Sequence, residues 1–213
     1  MSRNIQNKRQ LKTVVWIYTE GEKTEPYYFE SMIDDLDLST HQTVKIHIDG
    51  TGYNTDSLVK KAEDKLDKDG GAVDHIWCVM DRDSFKKYNF NKAFELTKNK
   101  KYCSEDGKPK IEIAYSNECF ELWFVLHYEY RNSDTPRADY TGILSKHLNR
   151  KYEKNLPNVY NQLKGKQETA IKNARKLRES YCSINSDGRH SPVSDNPSTN
   201  VDQLVEFLQK LAN

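Results

Sequence analysis

The stretch VVWIYTEGEKTEPYYFESM, Val14 to Met32, decides how the chain folds. Its opening residues, Val14 to Tyr18, are β-branched or aromatic without interruption, the pattern of a strand buried on both faces. Gly21 breaks the run. Thr24 can cap a helix, Pro26 suits a first helical turn, and Phe29, Met32, Ile33 and Leu36 then recur at helical spacing. The order is strand, turn, helix, with Glu20, Glu22 and Glu25 crowded around the turn. Carboxylates so close repel one another, so something at the strand tip is expected to want negative charge.

The same order repeats downstream. TVKIHID, Thr43 to Asp49, alternates as a strand; GTGYNT turns; Leu58, Val59, Ala62 and Leu66 mark one helix face. HIWCVMDRD supplies a third strand, Phe90, Ala93, Phe94 and Leu96 a weaker helix, and KIEIAYS a fourth strand. This alternation predicts an α/β fold with a mainly parallel four-stranded sheet flanked by helices and joined by right-handed crossovers. After Ser116 the strands stop. CFELWFVLHYEY reads as a helix, as do Asp139 to Leu148, Val159 to Leu163, Glu168 to Arg178 and Asp202 to Leu211. The expected layout is a flexible basic tail over 1–12, an α/β core over 13–128, and a helical region over 129–213 packed on that core. Within that region the Ser-, Asn-, Asp- and Pro-rich segment 183–199 reads as a loop.

Composition narrows the function classes. Of the 213 residues, 31% are charged and 36% hydrophobic, and the net charge is +1. A balance so near neutral gives no global electrostatic case for nucleic acid, so any such contact must come from local patches. The four cysteines, Cys78, Cys103, Cys119 and Cys182, form no CxxC pair, which argues against a zinc site or a disulfide framework. No apolar run approaches a membrane span, and the expected location is the cytoplasm.

In a parallel sheet the carboxyl ends of the strands share one edge, and ligands bind in the crevice there. Glu20 leaves the first strand at that edge, and Asp81 and Asp83 leave the third. Residues two apart in an extended segment point the same way. The sequence therefore predicts a carboxylate cluster gathered from distant parts of the chain, a set of hard oxygen donors suited to Mg²⁺ or Mn²⁺. In SNECFELWFVLHY, Ser116 and Asn117 end the fourth strand, and Glu118 or Glu121 can turn back toward the same edge. The plainer alternatives are that Glu25 interacts with a helix N-terminus, that Arg82 or a lysine neutralises Asp81 or Asp83, and that Glu121 merely caps or ion-pairs. His127 reads as a packing histidine. GEKTE lacks the glycines and the lysine position of a phosphate-binding P-loop.

Taken in order, TEGEKTEPYYFE, VMDRD, SNECFELWFVLHY and NPST resemble the RloB-like family, encoded near bacterial restriction loci and related to the AbiL abortive-infection system. The likeness runs from about Val14 to Leu211 and departs at Glu118, where that family usually carries proline. The first two motifs are also similar to a Toprim domain. That resemblance implies a Toprim-like fold, Glu20 as general acid or base, and Asp81 and Asp83 as ligands of a divalent metal. Glu121 and Glu25 are added as further candidate ligands, because two ions ~4 Å apart need more than three carboxylates. The implied activity is Mg²⁺- or Mn²⁺-dependent phosphodiester hydrolysis of RNA or DNA, as the effector of an anti-phage system. The implied partner is an RloA-like ATPase encoded alongside.

A nuclease must also hold a polyanion. Lys86 and Lys87 follow the metal motif, and Lys98, Lys100 and Lys101 form a second group. Lys172, Arg175, Lys176 and Arg178 line the polar side of a helix whose other side carries Ala170, Ile171, Ala174 and Leu177. Two other readings compete: a non-catalytic partner or regulator of the defence ATPase, and a phosphoacceptor receiver domain. The latter wants paired acids after its first strand and a lone aspartate after its third, which DRD and the glutamate-led turn match poorly.

Overall fold

The computed structural model describes residues 12–69, 72–82, 87–97, 99–103, 110–184, 188 and 191–213, excepting the side chains of 87–89 and 100. Four parallel strands, β1 (Thr13–Thr19), β2 (Val44–Gly50), β3 (His75–Asp81) and β4 (Ile111–Asn117), form the expected sheet. A fifth strand, β5 (Ser198–Thr199), joins β4 antiparallel, giving the order β2-β1-β3-β4-β5. The sequence showed no such strand, because two residues at the end of a polar loop carry no period. Side chains reinforce this edge: the Asn200 amide accepts from Tyr115 N–H (2.7 Å) and donates to the Ile113 carbonyl (2.8 Å). Tyr115 and Ser198 share a hydroxyl bond of 2.8 Å.

Helices cover both faces, and the period-2 alternation of the strands assigns them. Val15, Ile17, Trp77, Val79 and Ala114 face one core with α1 (Thr24–Asp35), α4 (Glu121–Leu126), α5 (Tyr140–His147), α6 (Val159–Leu163), α7 (Gln167–Ile184) and α8 (Val201–Leu211). Tyr18, Ile76, Cys78, Met80, Ile113 and Tyr115 face the other, with α2 (Thr55–Asp69) and α3 (Lys87–Thr97). The C-terminal helices thus share their core with α1 and the sheet. Thr24 is the first residue of α1 rather than its cap, and its hydroxyl bonds Asn155 Oδ1. Helix α7 runs past Arg178 to Ile184, and α4 is shorter than the twelve-residue segment from Cys119 to Tyr130. Among the described residues no helix is long and apolar enough to cross a membrane.

The order β2-β1-β3-β4 has a functional consequence. The chain leaves β1 on one side of the sheet through α1 and leaves β3 on the opposite side through α3, so a crevice opens between their carboxyl ends. Gly50 lets the turn after β1 lie close, since a Cβ there would sit 2.7 Å from the Glu22 carbonyl oxygen.

His127 is a buried packing histidine, as its sequence setting suggested. Its Nδ1 donates to the Trp123 carbonyl (2.9 Å), its Nε2 lies 3.2 Å from the Gln167 amide, and burial pulls its pKa down to about 4. Between that value and the ordinary 6.5 the unfolded chain holds a proton that the folded chain refuses, so stability falls as pH falls through this window. The loss is on the order of 3 kcal/mol across the window. Denaturant melts of wild type and His127→Asn should show this slope shrinking in the variant; an unchanged slope would assign the acid sensitivity elsewhere.

Candidate active site

At the β1/β3 crevice lies a cleft of about 260 Å³, lined by Glu20, Glu25, Asp81 and Glu121 together with Arg137 and Lys154. Each acid arrives by a different route. Glu20 follows β1, and its backbone N–H bonds the Val79 carbonyl at 2.9 Å, which sets it beside the end of β3. Asp81 is the last residue of β3, and its N–H donates to Glu20 Oε2 at 3.3 Å. Glu25 lies in the first turn of α1 and folds back to accept from its own N–H and that of Gly21. A Cβ on Gly21 would fall 2.0 Å from the Glu25 carboxylate, which explains glycine at this position. Glu121 opens α4, and the Tyr152 hydroxyl lies 3.5 Å from its Oε1.

Three of these acids are nearly inaccessible: Glu25, Asp81 and Glu121 are 5%, 7% and 4% exposed. Burial, reinforced by the Glu25 and Glu121 charges and opposed by Arg137, holds the Asp81 carboxyl well above the usual aspartate range. Burial also raises Glu25, with Glu121 adding to the effect and the two backbone N–H groups and Lys154 opposing it. Burial is the larger cause of both shifts, and the excess of four carboxylates over two cations in one small space adds to it.

The turn therefore divides its glutamates. Glu20 and Glu25 enter the cleft, whereas Glu22 is exposed and lies against Gly52. Asp83 and Lys86 lie outside the described residues, as does the side chain of Lys87. Lys172, Arg175 and Lys176 do not line the cleft: Lys172 is exposed, Arg175 pairs with Glu206, and Lys176 sits over the Tyr130 ring at 4.3 Å. Arg178 is not a surface cation either. It bonds both oxygens of the wholly buried Asp202, at 2.6 and 2.7 Å. Arg82 donates to the Val193 carbonyl (3.2 Å), and Arg137 stands beside Asp81, with Nη2 3.3 Å from Oδ2.

Arg137 and Lys154 are the functional candidates that reading the sequence missed. Arg137 opens a short 3-10 turn (Arg137–Asp139) and Lys154 lies in a turn just after Arg150 and Lys151, with no motif around either, so only the tertiary fold brings them to the acids.

A family model described as RloB-like protein matches residues 15–208, most of the chain. The chain belongs to the RloB-like family. No curated protein and no solved structure gives a significant match. In this RloB-like chain the matched segment takes in β1 from Val15 onward, β2 to β5 whole, and every acid and cation of the cleft named above.

The donors suit a hard divalent cation in kind, being carboxylate oxygens with excess negative charge. Their arrangement is open: among the described residues no group of three or more His, Cys, Asp or Glu side chains is drawn together as a metal cage. Arg137 reaches Asp81, and Lys154 lies 3.7 Å from Glu121.

Proposed function

We propose that this RloB-like protein is a Mg²⁺- or Mn²⁺-dependent phosphodiesterase with a Toprim-like site, cutting RNA or DNA as the effector of a bacterial anti-phage system. The observation that carries the reading is the gathering of buried Asp81, Glu25 and Glu121 with Glu20 at the β1/β3 crevice. Family membership suggests a defence-associated protein. Asp81, Glu121 and Glu25, with Asp83, would hold the ion. When bound, it supplies polarisation of the scissile phosphate and a lowered pKa for an attacking water. Glu20, half-buried at the mouth, moves a proton to or from the attacking or leaving oxygen.

One observation favours a second reading, a non-catalytic partner of a co-encoded ATPase. Arg137 and Lys154 stand against two of the acids, at 3.3 Å and 3.7 Å, as in a structural network.

Thermal melts separate the two. In the absence of divalent cations Asp81→Asn is expected to melt above wild type, because the amide removes a carboxylate whose ionised form the cleft disfavours. Adding Mn²⁺ at a hundredfold excess over Kd should stabilise wild type by about 2.7 kcal/mol, about 5–10 °C, and leave the variant unmoved. Titration calorimetry should show the same contrast. A wild type that neither binds heat-detectably nor shifts its midpoint would favour the non-catalytic reading.

A further inference from the structure

We propose that the outer edge of β2 is the interface of a symmetric dimer, in which β2 pairs antiparallel with β2 of a second copy about a twofold axis at His47. The inference is independent of the metal-dependent reading above.

The sheet ends differently on its two sides. At one end β5 is two residues long, too short to template a further strand. At the other, β2 runs for seven residues in unbroken register with β1, from Val44 to Gly50. It carries neither proline nor bulge, two of the devices that blunt an edge, and among the described residues no strand lies beyond it.

Backbone parity fixes which groups point outward. Thr13 N–H donates to the Thr43 carbonyl (2.7 Å) and Thr51 N–H to the Thr19 carbonyl (3.0 Å), so the odd-numbered residues of this segment turn their backbone groups toward β1. Those of Val44, Ile46, Ile48 and Gly50 therefore turn away from it. An antiparallel ladder centred on His47 pairs Ile46 with Ile48 of the second copy and Val44 with its Gly50. These are the pairs that exchange both backbone bonds, and the outward groups supply them without a slip.

Side chains select this register among its neighbours. Lys45 comes to lie opposite Asp49 of the second copy, and Asp49 opposite its Lys45, in the non-hydrogen-bonded positions where side chains are closest. Lys45 is exposed. Asp49 is held through Oδ2 by Lys61 of its own copy at 2.7 Å, and its Oδ1 can take the second cation. His47 meets its counterpart on the axis. Its ring stacks on Trp16 with centroids 4.2 Å apart, and burial, then Lys45 and Lys65, lower its pKa, so the two rings meet uncharged at neutral pH. Sliding the ladder by two residues in either direction sets Lys45 or Asp49 opposite His47 and loses both charge pairs.

On the other face of β2, half-buried Ile46 and Ile48 line a groove of about 340 Å³ with Ile33. The pairing extends that apolar floor with the same two residues of the second copy. Glu30 and Asp34 at the groove wall oppose it, but both are exposed and salt screens their repulsion. The axis stands perpendicular to the sheet, so the two acidic clefts open at opposite edges of one continuous sheet and each keeps its own residues.

Sedimentation of the full chain should show a monomer–dimer equilibrium. Lys45→Glu and Asp49→Lys each turn two attractive pairs into two repulsive ones, and each alone should raise the dimer Kd by at least about 10-fold. Mixing the two variants should restore an affinity near that of wild type, because each reversed charge then meets the other while the native pair survives. Ile48→Pro, which removes an outward N–H, should weaken the dimer as well. A wild type still monomeric at ~1 mM would overturn the proposal and leave the edge to another occupant. A dimer indifferent to either charge reversal or to Ile48→Pro would place the interface elsewhere and overturn it too. A mixture no tighter than its two components would do the same, and that comparison does not depend on how Ile48→Pro folds.

Discussion

Cutting of an RNA or DNA pool in Mn²⁺ is expected to fall at least ~10²-fold when Glu20 becomes glutamine, with the fold intact. Glutamine has the size of glutamate and keeps an oxygen to accept the Asp81 N–H, which stands 3.3 Å away in the native protein. What it loses is the ability to exchange a proton. Asp81, Glu25 and Glu121 remain, so the Mn²⁺-dependent rise in melting temperature should persist in this variant while disappearing in Asp81→Asn. That pattern separates proton transfer from ion binding within one cleft. A Glu20→Gln protein cutting at the wild-type rate would remove Glu20 from the proton path.

Asp202→Ala is expected to cost roughly 3–5 kcal/mol, the usual penalty for leaving one partner of a buried pair uncompensated. Asp202 is wholly buried at the start of α8 and accepts two bonds from Arg178, which also donates to the Thr199 carbonyl. The pair therefore ties α7 to α8 and to β5. Removal should lower the melting midpoint by on the order of 10 °C for a chain of this size. Arg178→Met combined with Asp202→Leu should lose less than Asp202→Ala, because no orphaned charge is left inside. Equal losses in the single and double variants would place the cost in packing.

Much of this architecture is legible in local sequence. Val14 to Tyr18, Thr43 to Asp49, His75 to Asp81 and Lys110 to Ser116 read as strands because period and composition are properties of neighbours in the chain. The alternation with Phe29, Met32 and Ile33, and with Leu58, Val59, Ala62 and Leu66, gives the parallel order for the same reason. Glu20 and Asp81 could be set at one edge of the sheet without coordinates, since parallel strands all end there. Glu25 and Glu121 could be named as candidates, though not placed.

The basic groups show where such reading stops. Arg178 lies in the Lys172–Arg178 run and looks like surface charge, yet its guanidinium turns inward to Asp202, twenty-four residues away. Arg137 and Lys154 carry no local signal, yet the packing of the C-terminal helices brings both to the cleft.

By itself, then, the sequence determined the α/β order, the sheet edge that carries the acids, and the residues from which a metal-type donor set could be drawn. Periodicity and chain direction encode those features, and both are local. Only the tertiary structure decided that β5 closes the edge of β4, that Glu22 stays outside while Glu25 enters, and which cations face the acids. Those outcomes turn on contacts between residues far apart in the chain, made through side chains whose partners no spacing rule specifies.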